Sequence, residues 1–230
     1  MTVHILSAGA AKGLVHGAAP AFAKASGHAI DGAFGAVGAM REKYAALEPC
    51  DVIVLTAAMI AELMRDGEVL EGSARDLGRV RTGVAVPAQG AAPPIADRAQ
   101  LRAALEQASA VYLPDPQRAT AGIHVMKVIG QLGLADALAP RIRAFPNGAA
   151  AMAAMAAAGD ARAIGLTQVT EILYTEGVQL AGALPAEFEL STVYTAGVTR
   201  RAADPVLAAR LVAFLGGPES LALRRAGGFE

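Results

Sequence analysis

At 230 residues, with 54% apolar side chains but only 4% aromatic and no Trp, the chain can form one large domain or two small lobes cored by Ala, Val, Leu and Ile. A formal net charge of −1 with no strong Lys/Arg cluster excludes a broad nucleic-acid surface, so any attraction for a charged ligand is local. No run approaches the roughly 18 apolar residues that span a membrane, and a single cysteine, Cys50, rules out an intramolecular disulfide and reads as a buried spectator thiol.

The N-terminal stretch Met1 to Val15 is apolar enough to suggest a secretory leader. It lacks a basic start, however, and Gly9, Lys12 and Gly13 interrupt its apolar run. It reads better as the first strand of the fold, Val3 to Leu6, which gives the expectation of a cytoplasmic protein, or a periplasmic one if a leader has already been removed. A helix from Gly13 to Ala25 follows and ends at Ser26-Gly27. Next come a strand from Ile30 to Phe34, a turn through Gly35-Ala36-Val37-Gly38, a helix from Ala39 to Leu47, a strand from Val52 to Leu55, and a helix from Ala57 to Asp66 stopped by Gly67. This alternation predicts a parallel sheet with helices on its faces.

Near Val80 the pattern changes. Arg81 to Pro87 reads as an extended crossing into a Gly/Pro-rich loop, Gln89 to Pro94. A second series then begins: helix Arg98 to Ala108, strand Ala110 to Leu113, helix Ala121 to Leu132, a short strand near Arg143 to Phe145, helix Asn147 to Ala158 and strand Ala163 to Leu166. Ser191 to Val198 is another β-type run, and two amphipathic helices close the chain, Pro205 to Leu215 and Glu219 to Ala226. The two extended runs predict two lobes: residues 1–82 with 197–230, and residues 83–196.

Two strand-to-helix turns stand out. Val3-His4-Ile5-Leu6 leads into Ser7-Ala8-Gly9-Ala10-Ala11-Lys12-Gly13, and Ala110-Val111-Tyr112-Leu113 leads into Asp115-Pro116-Gln117-Arg118-Ala119-Thr120-Ala121-Gly122-Ile123-His124. A helix that starts this way presents free N–H groups and a positive dipole end to an anion. Ser7 and Thr120 can donate hydroxyls there, or serve only as caps. Gly35 and Gly38 permit close backbone approach, or only a turn. Lys12 sits where the dipole disfavours a cation, which suits neutralising a carboxylate, and Arg118 can grip one bidentately, though both also suit a solvated surface. His124, one turn into its helix, is either a packed histidine or an acid–base group near neutral pH. Glu171 is either a first-turn carboxylate favoured by the dipole or a proton acceptor. The histidines lack metal-ligand spacing, and no metal or cofactor is expected.

These segments together resemble the molybdate-binding-protein-like substrate-binding proteins, in order and over nearly the whole chain. The matching stretches are Leu6 to Gly13, Phe34-Gly35-Ala36-Val37-Gly38-Ala39, Pro49-Cys50-Asp51-Val52-Ile53, Asp115-Pro116 with Ala121-Gly122-Ile123-His124, and Gly165-Leu166-Thr167-Gln168-Val169-Thr170-Glu171-Ile172-Leu173. The resemblance implies a type II periplasmic-binding-protein fold: two α/β lobes, each a mostly parallel sheet flanked by helices, joined by two hinge strands and closing on a ligand. It extends to a branch that includes aconitate isomerase, whose members often read Ser-Ala-Gly-x-x-Lys-Gly early and Gln-x-Ser/Thr-Glu-Ile-Leu late.

By this resemblance the ligand-binding set is Ser7, Ala8, Gly9, Gly35, Ala36, Arg118, Thr120, Ala121 and Gln168. His124, Glu171 and Lys12 are the alternatives for a catalytic proton shuttle. Molybdate binders carry several hydroxyls in the first two loops, whereas Ala36, Val37 and Gly38 supply none, so a carboxylate fits at least as well as a tetrahedral oxyanion. Two functions follow as expectations. One is a cofactor-free isomerase of an unsaturated di- or tricarboxylate. The other is a non-catalytic binding protein, partnered by an ABC importer's permease if exported or acting as a cytoplasmic small-anion sensor.

Overall fold

The computed structural model describes residues Thr2 to Glu230. In chain order the elements are β1 (Thr2–Ala8), α1 (Lys12–Ser26), β2 (Ala29–Gly35), α2 (Val37–Ala45), β3 (Val52–Thr56), α3 (Ala57–Arg65) and the long β4 (Arg75–Pro87). There follow α4 (Arg98–Gln107), β5 (Val111–Pro114), α5 (Thr120–Gln131), the single turn α6 (Ala135–Leu138), β6 (Ile142–Phe145), α7 (Gly148–Ala158), β7 (Ile164–Gln168), α8 (Val169–Tyr174) and β8 (Val178–Ala183). The chain ends with β9 (Ser191–Val198), α9 (Pro205–Gly216) and α10 (Leu221–Ala226).

The chain packs as two units, Met1–Val80 with Thr192–Glu230 and Arg81–Ser191. These boundaries fall slightly ahead of the positions read from the sequence. In the first unit the strand order is β2-β1-β3-β9-β4, with β1 parallel to β2 and β3, and β9 antiparallel to β3. Val52, Ile53, Val54 and Leu55 are fully buried, as a central strand covered on both faces requires. In the second unit the order is β8-β4-β7-β5-β6; β5 runs parallel to β6 and β7, while β4 pairs antiparallel with both β7 and β8.

Period-2 alternation sorts the second unit's sheet between two helix layers. Val111 and Leu113 pack with Leu101 and Leu105 of α4 and Val125 and Ile129 of α5. Tyr112, between them in sequence, packs with Met152 and Met155 of α7 on the other face. Each such fully buried side chain contributes on the order of 1.5–3 kcal/mol of transfer free energy.

Several elements differ from the sequence expectation. β4 begins at Arg75, well before Arg81, because Leu77 and Val80 are buried within a run whose charged residues mask its strand character. α2 starts at Val37 and ends at Ala45, so Leu47 falls outside it, at a φ of 65°. α6 and β8 were not anticipated, and α8 was expected only as a helix start at Glu171, without bounds: α6 and α8 have four and six residues, and β8 is a partly exposed Gly/Ala-containing edge strand of weak β-propensity. Among the described residues no single helix is long and apolar enough to cross a membrane.

Candidate functional site

The helix starts fall into two groups. α3, α4, α7 and α9 are each capped by their own N-cap side chain: Thr56, Asp97, Asn147 and Asp204 accept hydrogen bonds from the N–H groups of Met59, Gln100, Ala150 and Leu207. α1, α2 and α5 follow Ala11, Ala36 and Ala119, none of which can cap, and the 3-10 turn Gly9–Ala11 that leads into α1 follows Ala8. Alanine at an N-cap is among the poorest choices, costing ~1 kcal/mol against Ser or Asp. Two of the three longer helices left open, α1 and α5, follow the loops that the sequence marks as anion turns, and α2 follows the Gly35-Ala36 turn.

In the first unit two open starts are neighbours. The parallel register sets Ser7 opposite Phe34 and Ala8 opposite Gly35, so the carboxyl ends of β1 and β2 finish side by side. That is where open α/β sheets present backbone donors to ligands. Ser7, Ala8, Gly9 and Ala36 are buried there, and the Ser7 hydroxyl donates to the Ala8 carbonyl at 3.0 Å. Lys12, half-buried, is the first residue of α1. Burial, and then the Lys12 charge, hold His16 below the ordinary imidazole value.

In the second unit the turn after β5 is set by Asp115, whose Oδ1 accepts the N–H groups of Gln117 at 2.7 Å and Arg118 at 3.0 Å. Arg118 is exposed, Thr120 is half-buried at the first position of α5, and Ala121 is buried. Gly122 lets the helix start close against the strand end: a Cβ there would press into the carbonyl oxygens of Pro114 and Asp115. His124 lies one turn further on, its Nε2 2.8 Å from the carbonyl oxygen of Phe188. A carbonyl only accepts, so Nε2 carries the proton, and Nδ1 is the ring atom left for other chemistry.

The end of β7 gathers the second group. Gln168 is 2% exposed, and neither atom of its amide has a hydrogen-bond partner among the described residues. Thr82, its Cα partner in the β4–β7 pair, and Thr170 are also buried with unpartnered hydroxyls. Glu171, by contrast, is fully engaged. Its Oε2 accepts the Thr167 hydroxyl at 2.6 Å, and the N–H groups of Ala149, Gly148 and Gln168 also bond its carboxylate. Glu171 thereby ties the start of α7 to the start of α8, and its bond to the Gln168 N–H is half of a capping box. Burial outweighs these donors and raises its carboxyl above the usual carboxylate range.

The structure thus sets Ser7, Ala8 and Gly9 beside Gly35 and Ala36 at one sheet edge, and Gln168 beside Glu171 at the start of α8. Arg118, Thr120 and Ala121 share the turn into α5, and His124 is bonded to Phe188. Sequence reasoning missed Thr82, Thr170 and Thr167. Thr82 did leave a signal, as a lone hydroxyl at the head of an apolar strand run. Cys50 is buried; its Sγ donates to the Val52 carbonyl at 3.2 Å, and burial pushes the thiol up to about 12, which leaves it un-ionised and unreactive near neutral pH. Among the described residues no three His, Cys, Asp or Glu side chains are grouped so as to hold a metal ion.

Comparison with known proteins gives a consistent picture. The family model described as bacterial extracellular solute-binding protein matches residues 3–230. An aconitate isomerase from a Pseudomonas species is 26% identical over 220 residues, covering 93% of this chain and 82% of that relative. Among solved structures, the periplasmic molybdate-binding protein of Azotobacter vinelandii superposes with a TM-score of 0.81 at 22% identity, covering 99% of this chain and 98% of that one. The sulfate-binding protein SubI of Mycobacterium tuberculosis gives 0.76 at 17% identity, over 100% and 86% of the two chains. At these identities the structural matches establish the fold alone.

Proposed function

Since the chain belongs to the bacterial extracellular solute-binding protein family, we propose that it binds a small organic anion, a di- or tricarboxylate, through the open helix starts and the buried polar side chains beside them. The sorting of the helix starts carries this proposal: four long helices are capped by their own side chains, while α1, α2 and α5 are left open. Free N–H groups at a helix start satisfy carboxylate oxygens and place them at the favourable dipole end. The absence of hydroxyls at Ala36, Val37 and Gly38 favours a carboxylate over a tetrahedral metal oxyanion. A membrane permease is the partner proposed for an exported chain, and sensing is the role proposed for one kept in the cytoplasm.

Calorimetric titration with a panel of di- and tricarboxylates, molybdate and sulfate tests the proposal. A carboxylate is expected to bind, and Gln168→Ala to weaken it by roughly 10- to 100-fold, the value of one or two buried hydrogen bonds. Binding of molybdate or sulfate with silence from every carboxylate would refute it.

The isomerase relative favours a second reading: a cofactor-free allylic proton shift. A base takes a proton from the methylene carbon of the unsaturated acid, the double bond moves by one position, and a proton returns at the former alkene carbon. Of the three shuttle candidates, Glu171 is occupied by four donors, whereas His124 keeps Nδ1 for proton transfer beside its Nε2 bond to Phe188, so this reading turns on His124 and Lys12. Proton NMR of cis- and trans-aconitate incubated with the protein is its test. Interconversion that Lys12→Met or His124→Ala abolishes supports it, and unchanged spectra refute it.

A further inference from the structure

Resting on the anion-binding reading above, we propose that the ligand bears a hydroxyl as well as its carboxylates, as malate- and citrate-like hydroxy acids do, and that Gln168 with Thr82 and Thr170 reads that hydroxyl. Thr82 and Gln168 face each other as Cα partners in the antiparallel β4–β7 pair, so their side chains stand on the same face of the sheet. They are 1% and 2% exposed, and Thr170, two residues on, is 5% exposed. Among the described residues, both hydroxyls and both ends of the Gln168 amide are buried without a hydrogen-bond partner. Buried polar atoms left this way cost about 1–3 kcal/mol each, so a cluster of them marks a place that a ligand completes.

The chemistry of the amide then selects the ligand. A primary amide offers two donors on nitrogen and an oxygen that can only accept, and exchanging its two ends leaves that inventory unchanged. Ionised carboxylates, molybdate and sulfate present acceptors alone; they satisfy Nε2 and leave Oε1 unpaired. The Thr82 and Thr170 hydroxyls can donate or accept, but neither is hydrogen-bonded to the amide. Oε1 therefore calls for a donor on the ligand. An ammonium group also donates, but it needs a free carboxylate beside it. Glu171, the buried carboxylate of this segment, is already taken up by Thr167 and three backbone N–H groups. A neutral hydroxyl meets both demands.

Calorimetry on the full chain with ligand pairs that differ by one group tests the inference: citrate against tricarballylate, and malate against succinate and aspartate. The hydroxy acid of each pair is expected to bind ~10-fold tighter or more, as sites with buried hydrogen-bonding groups discriminate against ligands that lack the partner. In Gln168→Met, close in volume and checked for a native melting profile, the ratio is expected to fall towards one while carboxylate binding persists at lower affinity. Thr82→Val should reduce the ratio independently. Equal affinities within the pairs, a preference for aspartate over malate, or a ratio that survives Gln168→Met would each overturn the inference and leave the anion-binding reading standing. Silence from every carboxylate and oxyanion would instead overturn that reading, and the hydroxyl inference with it.

Discussion

Position 148 has no room for a side chain. A Cβ on Gly148 would lie well inside contact distance of the Thr167 hydroxyl and the Glu171 carboxylate, both held by the bonds that seal the start of α7. Gly148→Ala is therefore expected to cost about 3 kcal/mol in denaturant unfolding, at the upper end for overpacking a core, and a loss below half of that would show that the network gives way. Glu171 adds a pH dependence whose sign is fixed by linkage. Its folded-state carboxyl is raised above the ordinary range, so the folded chain holds this proton to higher pH than the unfolded chain does. The stability it contributes is complete below the ordinary carboxylate range and is lost as pH rises through the raised value. Urea midpoints measured from pH 4 upward should show that decline in the wild type and lack it in Glu171→Gln; identical pH profiles would contradict the assignment. The sequence marked Glu171 as a titrating group near a helix start, but not its donors at Gly148 and Ala149. Those come from another helix, and no local pattern links the two.

Among the elements, the difference between capped and open helix starts separates structural from functional roles. Asp97→Ala removes a cap from an exposed helix end and is expected to cost about 1 kcal/mol with no change in ligand affinity. Ala119→Ser does the reverse. Ala119 already has the extended N-cap backbone, so a serine hydroxyl there can bond the first turn of α5. The variant is expected to gain roughly 0.5–1 kcal/mol of stability and to bind the anion more weakly, because the cap competes for the same N–H groups. Tighter binding together with greater stability would count against an anion at this helix start. Most elements were legible because apolar spacing distinguishes a period of 2 from one of 3.6. The spacing reveals a strand but not its direction, which is why the antiparallel runs of β4 and β9 emerge only from their pairing. β8 escaped because Ala and Gly give a part-exposed edge strand little pattern to read.

For the whole molecule, a net charge near zero and a core of small aliphatic side chains said little about function. What carried the account was the repetition of a strand–turn–helix device in each unit, at Ser7 to Gly13 and at Asp115 to His124. Family membership over residues 3–230 agrees with that device, while the identity of the anion rests on side chains such as Thr82 and Gln168, whose isolation is visible only in three dimensions. The most direct test is thermal unfolding of the intact chain with and without a saturating hydroxy-carboxylate such as citrate or malate. At 100 times its dissociation constant the ligand should add about 2.7 kcal/mol of stability, which for a chain of this size raises Tm by roughly 5–10 °C. An unchanged Tm with every di- and tricarboxylate up to millimolar concentration would contradict the account.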